Sequence, residues 1–284
     1  MGSRLRDYLM LFKARLGFLV VLSSLLGYWM IAPFQWDGTI AWLALGGFLV
    51  TGASNIINQI WEKDLDRLMS RTQNRPLPDN RLGILETTIL AAVSATVGLG
   101  ILFFKVNESC AWLSFAAMVS YGFVYTPMKR VSPLAVFVGA FPGAIPPLLG
   151  YVGATGEFSF EAGILFLVQF VWQFPHFWAI AWVADEDYKA GGFQLLPSPG
   201  RRDKRSAFQI LLYCLVLIPV GVIPWGYGMT GWMSAIGAVI LGIVFSYFGF
   251  QLYLHRTVEH AKKVMFFSFF HLPMLQIIYV LDKI

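Results

Sequence analysis

The sequence predicts an all-α integral membrane protein, with nine transmembrane helices built as two four-helix repeats plus one helix around a central cavity, in a single domain spanning 1–284. Three observations carry this. The chain is 57% hydrophobic and only 13% charged, where a soluble domain carries about 25% charged residues, and its mean hydropathy is +0.64. The charges are also segregated: 16–36, 38–61, 87–104, 109–128, 131–156, 162–184, 206–254 and 264–281 contain no Asp, Glu, Lys or Arg. Finally, with the N-terminus in the cytoplasm, every basic residue except Lys105 and Lys283 falls on one side of the membrane, the asymmetry expected of cytoplasmic loops.

Roughly 20 apolar residues span a bilayer as a helix. The apolar runs therefore give helices near 16–34, 39–60, 84–104, 110–126, 132–152, 160–182, 206–223, 231–252 and 264–281, with PWGYG at 224–228 dividing the longest uncharged stretch. Helices satisfy their own backbone groups in lipid; a barrel would show alternating segments of about ten residues. No small-residue cleavage site follows the first run, so it reads as a retained span. The expected location is a bacterial inner membrane, N-terminus cytoplasmic and C-terminus outside. The sequence pI near 9.2 then reflects topology and attraction to anionic lipid and requires no nucleic acid. Cys110 and Cys214 have no metal or redox spacing and read as small apolar fillers. The longest inner loops, 61–83 and 184–205, occupy matching places in successive four-helix sets, which suggests the duplication.

The loop after 39–60 reads NQIWEKDLDRLMSRTQNRPLP. If the helix continues past Asn55, then Asn55, Asn58, Glu62 and Asp66 share one face. Two amides and two carboxylates make a hard-oxygen surface suited to Mg²⁺ and substrate phosphates. Asp64 falls on another face unless the helix has ended. Arg71 and Arg75 follow, four apart, and guanidinium groups bind phosphate bidentately. A solvated helix end with internal ion pairs is the competing reading; Asn55 and Asn58 weigh against it, because polar groups in an apolar run are costly and often functional.

In the matching region Gln169, Gln173 and His176 form a polar stripe down 160–182, before Asp185, Glu186, Asp187 and Lys189. Such a stripe is either a set of interhelical hydrogen bonds or a substrate contact. Two acidic clusters facing one cavity would need divalent cations and a basic clamp. Lys129 and Arg130 are either topology anchors or part of that clamp. In 132–152, Gly139 and Gly143 allow close helix packing, and Pro142, Pro146 and Pro147 interrupt the helix.

Three blocks in order, NIINQIWEKDLDRLMSRTQNRPLP, YTPMKRVSPLAVFVGAFPGAIPPLLGYVGATG and WQFPHFWAIAWVADEDYKAGGFQLLP, resemble the UbiA superfamily of intramembrane prenyltransferases over roughly 8–282. PHFWAIA with DYKAG resembles its haem-modifying branch rather than the quinone and chlorophyll branches. The superfamily's first acidic motif falls on Asn58, Gln59, Glu62 and Asp66; the second falls on Val183 and Asp187, with Asp185 as a substitute for the missing first acid. The resemblance implies a transferase that moves the farnesyl group of farnesyl diphosphate to a vinyl group of haem B, with water addition. It implies Mg²⁺ on Asn58, Glu62, Asp66, Asp185 and Asp187, catalytic roles for those at 58, 62, 66 and 187 with Arg71 and Arg75, and substrate contacts by Asn55, Asp64, Lys129, Arg130, His176, Asp185 and Lys189. Haem is then a substrate and not a retained group, and a downstream haem A synthase or terminal oxidase would take the product. A prenyltransferase acting on an aromatic quinone precursor and a membrane transporter are the alternatives.

Overall fold

The computed structural model describes residues 2–284, with side chains from Arg4 onward. Twelve α-helical segments form one bundle: α1 (Gly2–Phe12), α2 (Ala14–Trp29), α3 (Gly38–Asp66), α4 (Ile84–Lys105), α5 (Glu108–Val119), a π-helical turn (Ser120–Tyr125), α6 (Thr126–Met128), α7 (Ala135–Thr155), α8 (Phe160–Val183), α9 (Asp185–Ala190), α10 (Lys204–Gly226), α11 (Trp232–His255) and α12 (Val258–Leu281). No strand occurs among the described residues; Thr230 and Lys283 make a single β-bridge.

Side-chain caps set where several helices begin. Asp37 accepts the Ile40 amide at 2.8 Å and starts α3, Asn107 starts α5 through Cys110, and Asp203 starts α10 through Ser206. Each satisfies an amide that has no partner within its own helix. The cap at Asp203 also explains why α10 begins ahead of the expected 206.

Of the nine expected spans, seven to eight are matched by helices of sufficient length and apolarity. Among the described residues, seven helices are long and apolar enough to cross a membrane, α3, α4, α7, α8, α10, α11 and α12, or up to eight if Arg4–Phe12 and Ala14–Trp29 count as one span bent by 44°. Two expected spans fall short for physical reasons. The run at 16–34 is helical only to Trp29, and the chain bends at Lys13, which takes a left-handed φ of 47°. The run at 110–126 passes without a gap from a 12-residue α-helix through the π turn into α6, so no single α-helix covers it; π-bulges recur at functional sites. In the other direction, α3 continues beyond its apolar run to Asp66, a 29-residue helix about 43 Å long at 1.5 Å per residue. The prolines at 142, 146 and 147 do not interrupt α7, which is continuous to Thr155.

In lipid, the association of helices rests on close packing and interhelical hydrogen bonds more than on the hydrophobic effect. The α2–α7 crossing shows this. A Cβ at Gly150 would lie 1.8 Å from the Ser24 carbonyl oxygen, and one at Gly27 would lie 2.1 Å from the Pro147 carbonyl oxygen. Only glycine permits that approach. Apolar side chains such as Ile89, Val93 and Val97 on α4, and Ile236, Ile240 and Ile243 on α11, face outward, as a lipid-facing surface requires. Cys110 and Cys214 are buried and unpaired.

Candidate active site

The continuation of α3 puts Asn55, Asn58, Glu62 and Asp66 on one face, and all four are buried; Asp66 is fully enclosed at 0% exposure. Each has a partner from another element. Asn55 donates to the Phe12 carbonyl at 3.2 Å, beside the bend at Lys13. Asn58 donates to Thr126 Oγ1 at 3.1 Å and accepts from Lys13 Nζ at 3.3 Å. Glu62 is paired with Lys129 at 2.8 Å, and Asp66 with Arg75 at 2.7 Å. Gln59, next to Asn58 in the motif, turns to the α1 side and donates to the Leu11 carbonyl at 2.7 Å.

The loop after α3 folds back over this face. Thr72 Oγ1 donates to the Asp66 carbonyl at 2.9 Å. Just before Thr72 in that loop, Ser70 and Arg71 donate to Asp187 at the start of α9, from Ser70 N (3.0 Å), Ser70 Oγ (2.8 Å) and Arg71 N (3.3 Å). The Arg71 guanidinium sits 5.7 Å from the centre of the Tyr188 ring. The 61–83 loop thus joins the tips of α3 and α9. A third loop, 129–134 between α6 and α7, joins them too: Gln194 N donates to the Lys129 carbonyl at 2.9 Å, and Lys129 Nζ lies 4.6 Å from the Tyr125 ring centre.

Electrostatics follow from the partners. Burial alone would lower the Lys129 pKa, but the adjacent Glu62 carboxylate reverses this and holds the ammonium above its ordinary value. Burial likewise pushes the Asp187 carboxyl up, and the hydrogen bonds from Ser70 and Arg71 more than reverse it, leaving it below the usual carboxylate range.

Four expected site residues lie away from this cluster. Asp64 is on the opposite side of α3, 85% exposed and paired with Arg67, because two residues of helix turn a side chain by about 200°. Asp185 faces the other loop: Arg201 holds it at 2.8 Å and Arg202 at 3.8 Å. Arg130 and Lys189 are exposed. The five residues expected to hold metal therefore do not form one cluster; among the described residues no three His, Cys, Asp or Glu side chains converge on one point. Nevertheless, one observation suits a cation. Asp66 Oδ1 is buried with no hydrogen-bond partner among the described residues, an expensive arrangement for an ionised carboxylate, and Asn58 and Glu62 on the same face add hard oxygen donors.

Beside this head group region lies a cavity of about 280 Å³. Its wall is largely apolar, with Asn55, Tyr121, Tyr125, Gln173 and His176 among the polar exceptions. It reaches the flank of the bundle, where the lining residues Leu16, Leu19 and Phe269 are exposed. The polar stripe of α8 has divided duties. Pro147 has no N–H to give the Gly143 carbonyl, and Gln169 Nε2 supplies the donor at 2.7 Å. Gln173 Nε2 binds the Ala140 carbonyl at 2.9 Å; a Cβ on Gly143 would sit 2.0 Å from Gln173 Oε1, so glycine is needed for that side chain to dock. Gln169 Oε1 also accepts from Ser23 on α2 (2.8 Å) and Gln276 on α12 (2.9 Å). These glutamines are interhelical ties. His176 meets Ser268 of α12 at 2.7 Å.

The structure adds Lys13, Ser70, Thr126, Tyr121, Tyr125 and Ser268 to the site. Lys13 counts in the sequence only as a topology charge, and Ser70 and Ser268 have no periodic signal. Tyr121 and Tyr125 are spaced four apart ahead of Lys129, and that helical spacing of two aromatic residues before a basic loop is the signal that marks them.

The UbiA prenyltransferase family model matches residues 20–271. The chain is 45% identical over 286 residues to a protoheme IX farnesyltransferase of Cytophaga hutchinsonii, covering 100% of both chains. Among solved structures it is similar to a digeranylgeranylglyceryl phosphate synthase, with a TM-score of 0.81, 20% identity and coverage of 99% of this chain and 98% of that one. It is also similar to a UbiA homologue from Archaeoglobus fulgidus bound to GPP and Mg²⁺, with a TM-score of 0.70, 14% identity and coverage of 96% and 99%.

Proposed function

The chain belongs to the UbiA prenyltransferase family and is a transferase, and from that premise we propose that it transfers the farnesyl group of farnesyl diphosphate to a vinyl group of haem B, with addition of water, giving haem O and diphosphate. The observation that carries the reading is the meeting of the α3 and α9 tips on the 67–75 loop, over an apolar cavity that opens to the bundle flank. The full-length similarity to a farnesyltransferase acting on protoheme supports the choice of acceptor.

The isoprenoid tail would lie in the apolar cavity with its diphosphate toward the three loops. Asn58, Glu62 and Asp66 would hold Mg²⁺, with Asp187 on the facing wall; the cation supplies electrostatic stabilisation to the departing diphosphate. Glu62 and Asp66 can turn to the cation while Lys129 and Arg75 turn to phosphate oxygens, so each ion pair exchanges partners and no charge is stranded. Arg71, exposed beside Tyr188, adds a guanidinium fork to the leaving group. Breaking the C1–O bond leaves an allylic cation, which the faces of Tyr121 and Tyr125 can shield. The vinyl π electrons of haem attack C1; water then adds to the new cation as a hydroxyl and releases a proton. This chemistry needs no strong general base. Asn55 and His176, which line the cavity, would contact substrate there; Arg130 and Lys189 are exposed on the loops, whereas Asp64 and Asp185 are engaged by Arg67 and Arg201 away from the cluster. The membrane is a bacterial inner membrane with the three loops on the cytoplasmic side and the C-terminus outside, and a haem A synthase or terminal oxidase takes the product.

Expression in a strain lacking this activity, followed by mass analysis of extracted haem, tests the reading. A haem heavier by one farnesyl group and one hydroxyl is expected. Unchanged haem alongside a prenylated aromatic acid would assign the chain to a quinone precursor; substrate flux into liposomes with no covalent product would make it a transporter.

A further inference from the structure

The contacts of His176 deepen that reading. Ser268 Oγ lies 2.6 Å from the Met265 carbonyl oxygen and 2.7 Å from His176 Nδ1. A hydroxyl has one proton, and a carbonyl can only accept. The serine proton is therefore committed to Met265, and the imidazole must be the donor in the second bond. That fixes the tautomer: Nδ1 carries the proton and Nε2 keeps its lone pair. Nε2 has no hydrogen-bond partner among the described residues, while His176 lines the cavity.

The ring is also held in orientation. Trp172 stacks on it with centroids 4.5 Å apart and planes 17° apart, and Phe269 meets it edge-on at 5.1 Å. Trp172 Nε1 in turn donates to the Ser268 carbonyl at 3.1 Å. Ser268 thus anchors both the imidazole and the indole that stacks on it, and it is fully buried. A purely interhelical role uses only the Nδ1 bond, whereas here the second ring nitrogen has no protein partner among the described residues and belongs to a residue that lines the cavity.

Resting on the haem reading above, we infer that His176 Nε2 is an axial ligand for the iron of the haem substrate and that Ser268 is a positioning residue that sets its tautomer. The arrangement matches the general pattern in which a ligating histidine donates its other N–H to a fixed acceptor. No electron or proton is transferred; one coordinate bond forms, between Nε2 and the haem iron, and it holds the macrocycle in the cavity that His176 lines.

The test is a titration of ferric haem B into the full chain in nanodiscs without farnesyl diphosphate, read by the Soret band and, after reduction, by the iron–histidine stretching frequency. Wild type should show a histidine-ligated spectrum, and His176→Ala should lose it. Ser268→Ala should weaken haem binding about tenfold to hundredfold, as loss of such supporting partners does, and shift the stretching frequency; Ser268→Thr should restore both. Should the alanine variant fail to insert, His176→Gly with added imidazole should regain the histidine-type spectrum. A histidine-ligated spectrum unchanged in His176→Ala, or a Ser268→Ala frequency identical to wild type, overturns the inference and leaves the haem reading standing. A wild-type chain that gives no haem spectrum overturns both.

Discussion

Arg75 reaches Asp66 through one guanidinium nitrogen, which leaves the rest of its fork for phosphate oxygens. Lysine could keep the ion pair but not the fork. Arg75→Lys should therefore lower kcat/KM by about tenfold or more, since a hydrogen bond to a charged group is worth about 1.5–3 kcal/mol; kinetics with varied farnesyl diphosphate check it, and an unaltered rate removes Arg75 from the clamp. Asp187 makes a prediction in pH. Its carboxyl is held below the ordinary range by Ser70 and Arg71. A depressed carboxylate stabilises the fold above its unfolded pKa, about 3.9, and that contribution disappears as pH falls through the lower folded value. The α9 contact to the 61–83 loop should thus be intact at neutral pH and loosen only in strong acid. Hydrogen exchange at Ser70 and Arg71 should show protection that is lost below about pH 4, and Asp187→Asn should remove the pH dependence.

Among the elements, the α2–α7 crossing depends on two glycines that leave no room for a side chain. Gly150→Leu should destabilise the bundle by about 1–3 kcal/mol, the range for overpacking, visible as a lower thermal transition in detergent; an unchanged transition would mean that the helices do not pack this closely. The same scale shows what could be read from the sequence. The stripe Asn55, Asn58, Glu62, Asp66 was legible because helical spacing alone decides it, and Asp64 falls off that face for the same reason. The bend at Lys13 and the π turn at Ser120–Tyr125 were not legible, since apolar composition continues through both while the backbone geometry changes. The α7 prolines misled in the opposite sense. Pro signals a break, but Gln169 of α8 replaces the donor that Pro147 lacks, so the helix survives through a contact remote in sequence. The fate of Asp185 was equally hidden, because Arg201 and Arg202 reach it from across a loop.

Over the whole molecule, the bundle brings three basic loops to one end and leaves the apolar cavity beneath them. Charge segregation along the chain made this division visible, while the pairing of particular acids with particular bases came only from the fold. The central claim is that Asp66 and Asp187, 121 positions apart in sequence, serve one diphosphate. A double-mutant cycle tests it most directly: the affinity for a non-hydrolysable farnesyl diphosphate analogue with Mg²⁺, measured calorimetrically for wild type, Asp66→Ala, Asp187→Ala and the double variant. Sites sharing one ligand should give losses that fail to add by about 0.5–3 kcal/mol; strictly additive losses, or no loss from either change, would contradict the account.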